Sequence, residues 1–423
     1  MGAALVVANM IGTGVFTSLG FQLQDVQNTW SILLLWGLGG LMAITGAFCY
    51  AEIGSAIKKS GGEYIFLSAL YHPVIGYLSG WISLTIGFAA PVALAAMALG
   101  AYLGNVWQID PQVLAISAIL GATVVHSFNL LVSSYFQSYA SWFKVVLILF
   151  LILIGLFYVP DGPALDFSNS WSTEILTPSF AVAFVYVSYS YTGWNAAAYI
   201  IEEIDRPKAN LPKALVRGTL IVTGLYVFLQ LVFLKHASLE ELRGQLDIGH
   251  VYATRVLGNE GATVINILIS FFLISSISAM IWVGPRVSHA MSKDFRIWAF
   301  LQKRNKNDLP VIAVWLQTLL SIAYVLTGTF ESVLLYCGFI LQLSSAMTVA
   351  GVFLLRKNNF SGDRYRAPLY PLLPIIFTVF SLWILGYLLM ERPVECSIGL
   401  VILAIGLGSY AINYRISRDR RTK

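Results

Sequence analysis

Long apolar runs, separated by short polar segments, are the feature of this sequence that most constrains its fold. A helix needs about 20 apolar residues to cross a lipid bilayer. Twelve stretches of this kind occur, near residues 1–21, 30–56, 73–104, 112–132, 139–159, 178–201, 213–235, 261–285, 310–329, 331–355, 368–390 and 396–414. Only 11% of the 423 residues are charged, whereas a soluble domain has about 25%. We therefore predict an all-α membrane protein with about twelve transmembrane helices and no soluble domain.

The positions of Lys and Arg predict the orientation of the chain. Of the 26 Lys and Arg residues, Lys144 lies within a span, and those in loops opposite the N-terminus are Lys235, Arg243, Arg255 and Arg392. Because cytosolic loops are enriched in Lys and Arg, we predict a multi-pass protein of the plasma (inner) membrane with both termini cytosolic. This distribution explains the net charge of +5, and no nucleic-acid partner is expected. The first span begins without a polar leader, so we expect the natural chain to have a longer N-terminal tail.

The sequence lacks the usual signatures of metal sites and enzymes. Cys49, Cys337 and Cys396 lie in or beside apolar runs, and no pair of them has metal-ligand spacing. The histidines are scattered, and only His126 lies well inside a span, where we expect a hydrogen-bonded packing role. No nucleophile–base motif occurs. We therefore predict no metal, no cofactor, no disulfide framework and no enzymatic activity.

Two breaks interrupt otherwise apolar spans, one at Gly12-Thr13-Gly14 and the other at Tyr189-Ser190-Tyr191-Thr192-Gly193. Glycine costs about 1 kcal/mol against alanine inside a helix, and lipid cannot satisfy the backbone groups that unwinding frees. Paired broken helices indicate the substrate site of a transporter. The alternative is that the glycines only permit close helix packing. The breaks fall in the first and sixth spans, so we predict inverted five-helix repeats over 1–159 and 160–359, followed by two helices and a basic tail over 360–423.

Several motifs, in order along nearly the whole chain, resemble those of the amino acid–polyamine–organocation (APC) transporters. Ile11-Gly12-Thr13-Gly14-Val15-Phe16 is similar to the glycine signature of their first span. The segments 191–195, 202–214 and 364–371 resemble the L-type amino acid transporter branch. The resemblance implies a LeuT-type fold and sodium-independent transport of neutral L-amino acids by alternating access, through exchange. Proton-coupled uptake is the alternative, and a non-transporting amino acid sensor is a further one.

The resemblance also implies a substrate site at the two breaks. The N–H groups of Thr13 and Gly14 suit a carboxylate, and the carbonyls of Met10, Ile11, Tyr189 and Thr192 suit an ammonium. The Tyr189 ring matches a gating aromatic, and a side-chain pocket is expected from the third and tenth spans. That lining carries no carboxylate, which favours neutral amino acids. The predicted binding residues are Met10, Ile11, Gly12, Thr13, Gly14, Ala89, Ala93, Met97, Tyr189, Thr192, Gly193, Asn195 and Phe339.

Lys144 is the most informative single residue, because an ammonium inside a membrane span is costly and is a functional candidate by default. The alternative is a lysine that snorkels to the interface. The resemblance implies that Lys144 occupies the place where sodium-coupled relatives on the same fold hold sodium. It would then brace the first span against the eighth, through Ser275, Ser276 or Ser278, or it would carry a proton.

Two further expectations concern the ends of the spans. Glu52, Glu202 and Glu203 lie at predicted cytosolic ends, and we expect solvated caps in preference to gate ion pairs. Animal L-type transporters join a heavy subunit through a cysteine between the third and fourth spans. The corresponding loop, at about residues 105–111, has no cysteine, so we expect no disulfide-linked heavy subunit.

Overall fold

A computed structural model describes residues 2–128, 131–157, 165–306, 309–358 and 363–419 of the chain. Residues 129–130 of the predicted fourth span and 158–159 of the predicted fifth span lie outside these ranges. Within them the chain forms α-helices with short 3₁₀ and π segments, and no β-strand. The all-α prediction is therefore confirmed.

The first half of the described chain contains eight helices, which are α1 Gly2–Met10, α2 Gly14–Gln22, α3 Thr29–Ile57, α4 Glu63–Leu70, α5 Pro73–Ile82, α6 Ala89–Trp107, α7 Pro111–Phe128 and α8 Leu131–Phe157. The second half contains nine, which are α9 Trp171–Glu174, α10 Pro178–Ser190, α11 Pro207–His236, α12 Leu239–Leu242, α13 Ile248–Asp294, α14 Val311–Thr327, α15 Phe330–Lys357, α16 Leu372–Glu391 and α17 Pro393–Asp419.

The helices account for the twelve predicted spans. Among the described residues, nine continuous helical segments are long and apolar enough to cross a membrane, and α1 with α2 forms a tenth that is bent by 43°. The shorter apolar helix α14 and the pair of α10 with the 3₁₀ segment Ala196–Glu203 supply the other two. The first and sixth spans are thus discontinuous, as predicted. The division into two inverted repeats stays a prediction.

The third span differs from a regular helix in a way that matters for the site. A π-helical turn over Ser83–Gly87 separates α5 from α6, and the two helices with this turn form one 35-residue span. A π-turn takes more residues than an α-turn, so it rotates the side chains that follow. Side-chain directions along α6 therefore depart from those of an uninterrupted helix.

One end of the bundle, called the basic end, holds Ile57 and Lys357, and a buried ion-pair network closes it. Glu52 is fully buried and accepts hydrogen bonds from Arg356 at 2.7 and 2.8 Å and from the Ala367 N–H at 2.9 Å. Arg364 lies 3.7 Å from the same carboxylate. The expectation of a solvated cap is wrong for Glu52, because the loop before α16 folds back over the end of α3. The two glutamates at the end of the sixth span are exposed.

Candidate functional site

The first break lies where α1 ends at Met10 and α2 begins at Gly14. Unwinding there leaves carbonyls without their helical partners, which must find other donors inside a membrane. Four buried side chains donate to carbonyls here, two to carbonyls at the break itself, of Met10 and Ile11, and two to carbonyls in the first turn of α2, of Val15 and Phe16. These pairs are Tyr226 Oη to Met10 O at 2.7 Å, Lys144 Nζ to Ile11 O at 3.2 Å, Gln230 Nε2 to Val15 O at 3.0 Å and Tyr102 Oη to Phe16 O at 3.2 Å.

Three of these donors were missed by the sequence reasoning. Tyr226 and Gln230 lie in the middle of the apolar seventh span, and Tyr102 lies near the end of the third. All three are fully buried. A polar side chain deep in an apolar span was the available signal, because such a group needs an internal partner.

The second break follows α10, which ends at Ser190. Thr192 donates to the carbonyl of Tyr189 from its N–H at 3.0 Å and from its hydroxyl at 2.7 Å, which turns the chain back. Gly193 has a φ of +95°, and a Cβ there would lie 2.7 Å from the carbonyl oxygen of Asn9. Glycine is therefore required for both the conformation and the close approach to α1.

The two breaks lie against each other. A Cβ on Gly14 would lie 2.7 Å from the Cα of Ser190. The hydroxyls of Ser18 and Ser190 share a hydrogen bond of 2.9 Å, and Ser18 also donates to the carbonyl of Tyr186 at 3.1 Å. Helices α2 and α10 are thus in direct contact on one side of the breaks.

A cavity of about 220 Å³ opens between the breaks. Most of the predicted break residues line it, namely Met10, Gly12, Thr13, Gly14, Tyr189, Thr192, Gly193 and Asn195. Ile11 lies outside the described lining, and its carbonyl faces Lys144 instead. The cavity is therefore the place where the two predicted halves of the site meet. The gating role of Tyr189 stays a prediction.

The third and tenth spans contribute other residues than those predicted. Ala89, Ala93, Met97 and Phe339 are absent from the described lining of this cavity. The residues that line it from these spans are Ser79, Ile82, Ser83, Gly87, Phe88, Pro91, Ala95, Leu341, Ser344 and Ser345. In the third span the π-turn changes the register of α6, which regular helical spacing did not anticipate. Phe339 lies instead beside Gly399 of α17, where a Cβ would lie 3.3 Å from its ring.

The lining also contains a carboxylate, contrary to the expectation from the predicted pocket. Glu63 lines the cavity and is only 7% exposed. It is the first residue of α4, between the second and third spans. The sequence places Glu63 in a connecting segment, and the packing of α4 brings it to the cavity.

Lys144 connects the first break to the eighth span. Its ammonium donates to Ile11 O at 3.2 Å and to Ser276 Oγ at 2.8 Å, and it lies 4.9 Å from the ring centre of Phe272. Lys144 is only 3% exposed, which rules out the snorkelling alternative. Ser276 also lines the cavity, so one hydroxyl separates the ammonium from the site.

The two neighbouring serines have different surroundings. Ser278 Oγ and His126 Nε2 are 2.7 Å apart, which makes His126 the hydrogen-bonded packing residue that was expected. Ser275 is fully buried on the same turn of α13. Of the three predicted serines, Ser276 is the one that forms a hydrogen bond of 2.8 Å with Lys144.

The cavity extends toward the basic end of the bundle, where Leu5 and Tyr199 contribute to its wall. An aromatic layer lies at the opposite end. The ring of Phe21 stacks on Tyr186 with centroids 5.7 Å apart and on Phe330 with centroids 5.6 Å apart. These three rings are outside the described lining of the cavity.

Comparisons with known proteins agree with this architecture. Residues 3–405 match the family model described as amino acid permease. The chain is 26% identical to the b(0,+)-type amino acid transporter 1 of Mus musculus over 404 residues, which are 93% of this chain and 82% of that protein. It is 27% identical to the serine/threonine exchanger SteT of Bacillus subtilis over 418 residues, 96% of this chain and 94% of that protein. It is also 27% identical to the cystine/glutamate transporter of Homo sapiens over 421 residues, 97% of this chain and 83% of that protein. The chain therefore belongs to the amino acid permease family of the APC superfamily and is a transporter of amino acids.

Proposed function

We propose that this protein exchanges neutral L-amino acids across the plasma membrane by alternating access, without sodium. The observation that carries the proposal is the Lys144 ammonium, which bonds both the first break and a serine of the cavity wall. A fixed cation at the break supplies the positive charge that a bound sodium ion would otherwise contribute. The mostly apolar wall of the third span, with Phe88 and Ala95, supports a neutral side chain.

The two breaks offer partners for the two charged groups of an amino acid. The N–H groups of Thr13 and Gly14 lie at the start of α2, where the helix dipole favours a carboxylate. The carbonyls of Met10 and Tyr189 lie at the ends of the preceding half-helices and favour an ammonium. The Met10 carbonyl accepts one hydrogen bond within the protein, from Tyr226, and keeps a second lone pair for a substrate. The Tyr189 carbonyl accepts two, both from Thr192, so a substrate ammonium would replace one of them.

The shape of the cavity supports alternating access. With the basic end in the cytosol, as the distribution of Lys and Arg predicts, the cavity opens inward in this structure. Opening it outward then requires separation of the Phe21, Tyr186 and Phe330 rings. The hydrogen bond of 2.7 Å from Tyr186 to Glu331 must break in the same step if α10 moves away from α15.

A proteoliposome assay tests the proposal. Uptake of a labelled neutral amino acid is measured with and without unlabelled amino acid inside, in sodium and in sodium-free buffer, and with an inward-acid gradient. We expect uptake that requires internal amino acid and is unchanged by sodium. A requirement for the acid gradient with empty vesicles would identify proton symport instead, and binding without any flux would identify a sensor.

Lys144→Ala tests the residue that carries the proposal. We expect loss of most exchange, because two acceptors around the first break lose their donor. Lys235→Ala is the matched control, since Lys235 also donates to a backbone carbonyl, that of Gly155 at 3.3 Å, but lies at the far end of α11. Full exchange by Lys144→Ala, or exchange that depends on sodium in the wild type, contradicts the role given to Lys144.

We also propose that the protein works without a disulfide-linked subunit. All three cysteines, Cys49, Cys337 and Cys396, are buried as free thiols. A buried thiol cannot reach a partner chain without local unfolding. Exchange by the purified single chain, unchanged by a reducing agent, is the expected result.

A further inference from the structure

The carboxylate of Glu63 has an unusual environment at the basic end of the cavity. It accepts hydrogen bonds from the hydroxyl of Tyr50 at 2.8 Å, from the side-chain amide of Asn195 and from the hydroxyl of Tyr199. All three donors are neutral. An ionised carboxylate only accepts hydrogen bonds, so this set of donors suits the charged form of Glu63.

Glu63 has no cationic partner in the described parts of the chain, since no Lys, Arg or His lies within 4.0 Å of its oxygens. The other buried glutamate at this end, Glu52, is paired with Arg356 and Arg364. Buried charges in proteins are normally paired, because removal from water is costly. Among the residues that the structure describes, the Glu63 carboxylate therefore lies beside the cavity without a cationic partner.

Aromatic rings surround the same carboxylate. Tyr50 and Trp194 are in edge contact, with ring centroids 4.7 Å apart, and Trp194 and Tyr199 both line the cavity. The negative faces of aromatic rings attract ammonium and guanidinium groups. A carboxylate within an aromatic wall is thus suited to an organic cation that enters from the cavity.

We propose that Glu63, Trp194 and Tyr199 form a subsite for the cationic side chain of a bound amino acid, such as the guanidinium of arginine or the ammonium of lysine. The inference rests on the proposed function, because it takes the two breaks as the site for the α-carboxylate and α-ammonium. Asn195 links the two regions, since it lies two residues after Gly193 and bonds Glu63 directly. The cavity then accepts cationic amino acids in addition to neutral ones, with Glu63 as the counter-ion.

Binding to the purified protein tests the subsite independently of transport. Thermal stabilisation is titrated with L-arginine and with L-citrulline, which has nearly the same shape as arginine but no charge, and likewise with L-lysine and L-norleucine. A ligand that binds only the folded state raises the melting temperature, and the stabilisation grows with the logarithm of one plus the ratio of ligand concentration to Kd, so a titration gives Kd. We expect arginine to bind roughly ten- to hundred-fold more tightly than citrulline, the range for one hydrogen bond to a charged group.

Glu63→Gln removes the charge and keeps the shape, and we expect the ratio of arginine to citrulline affinities to fall to about one. Glu202→Gln is the matched control, because Glu202 is an exposed carboxylate near the end of the 3₁₀ segment that carries Tyr199, and it should keep the wild-type ratio. If Glu63→Gln does not fold, the wild-type ratios for both ligand pairs still decide the matter. Equal affinity of the wild type for arginine and citrulline overturns the subsite.

The binding test of the Glu63 subsite and the exchange test of the proposed function can fail independently of each other. Neutral exchange in proteoliposomes together with equal affinities for arginine and citrulline rejects only the cationic subsite. A charge preference that Glu63→Gln abolishes, in a protein without exchange activity, supports the subsite and rejects exchange. An unchanged preference in Glu63→Gln overturns the assignment to this carboxylate.

Discussion

Tyr226→Phe removes one hydroxyl from the first break and leaves the shape of the core unchanged. Tyr226 is fully buried, and its ring packs on Trp36 and Tyr191 at centroid distances of 5.6 and 5.2 Å. Its hydroxyl donates to Met10 O at 2.7 Å, at the point where α1 ends and the regular helical pattern stops. The variant therefore isolates the contribution of a single hydrogen bond to the broken helix.

The expected magnitude follows from what the Met10 carbonyl loses. Leaving a buried acceptor without its donor costs about 1–3 kcal/mol. This cost destabilises the broken conformation of the first span, because α1 ends at Met10 and the helix provides no other donor for the Met10 carbonyl. If that conformation is the one that binds substrate, the apparent affinity falls by roughly 5- to 150-fold, which is the same free energy expressed as an equilibrium constant.

Tyr252→Phe is the matched control. Tyr252 is also fully buried and donates to a backbone carbonyl, that of Leu151 at 2.9 Å. Leu151 lies inside regular α8, so its carbonyl keeps a helical hydrogen bond after the substitution. We expect a stability loss of about 0.5–1.5 kcal/mol, the net value of an ordinary hydrogen bond, and unchanged affinity for substrate.

The assay combines thermal unfolding of the purified variants with exchange kinetics in proteoliposomes over a range of substrate concentrations. We expect Tyr226→Phe to raise the concentration for half-maximal exchange and Tyr252→Phe to leave it unchanged. Equal transport parameters for the two variants, at equal amounts of folded protein, would refute the role of Tyr226 in holding the binding conformation of the break.

Further substitutions test the packing of the breaks and of the basic end. Gly193→Ala places a Cβ 2.7 Å from backbone at a φ of +95°, and we expect little folded protein by size-exclusion chromatography. Gly224→Ala is its control, because nothing lies within 4 Å of that position, and it should keep or raise the melting temperature since alanine favours helices. Glu52→Ala leaves Arg356 without its buried partner and should cost roughly 3 kcal/mol or more, measured by denaturant or thermal unfolding. Lys208→Ala, which breaks only an exposed pair with Asp363, should leave the melting temperature unchanged.

The positions of the spans and of both breaks were predictable because their signals are local. Apolar length defines a membrane helix, and Gly14 and Gly193 mark points where two backbones approach closely. The capping box of Ser238 and Glu241 is equally local, because it depends only on a serine and a glutamate three residues apart. Each of these features depends on a few neighbouring residues.

The walls of the cavity were less predictable because they depend on helix rotation and on loop packing. In the third span, which contains a π-turn at Ser83–Gly87, Phe88 and Pro91 line the cavity in place of the predicted Ala89 and Ala93. Glu63 reaches the cavity only through the packing of α4 against the sixth span. Neither the rotation of the third span nor the packing of α4 leaves a regular pattern in the sequence. Residue spacing alone therefore could not place these side chains in the cavity wall.

A structure determined with a bound neutral amino acid, in sodium-free buffer, tests the central claim most directly. The account predicts the amino acid between the two breaks, with its carboxylate at the N–H groups of Thr13 and Gly14 and the Lys144 ammonium still bonded to Ile11 O. An amino acid bound elsewhere in the protein, or bound at the breaks only when sodium is present, would contradict it.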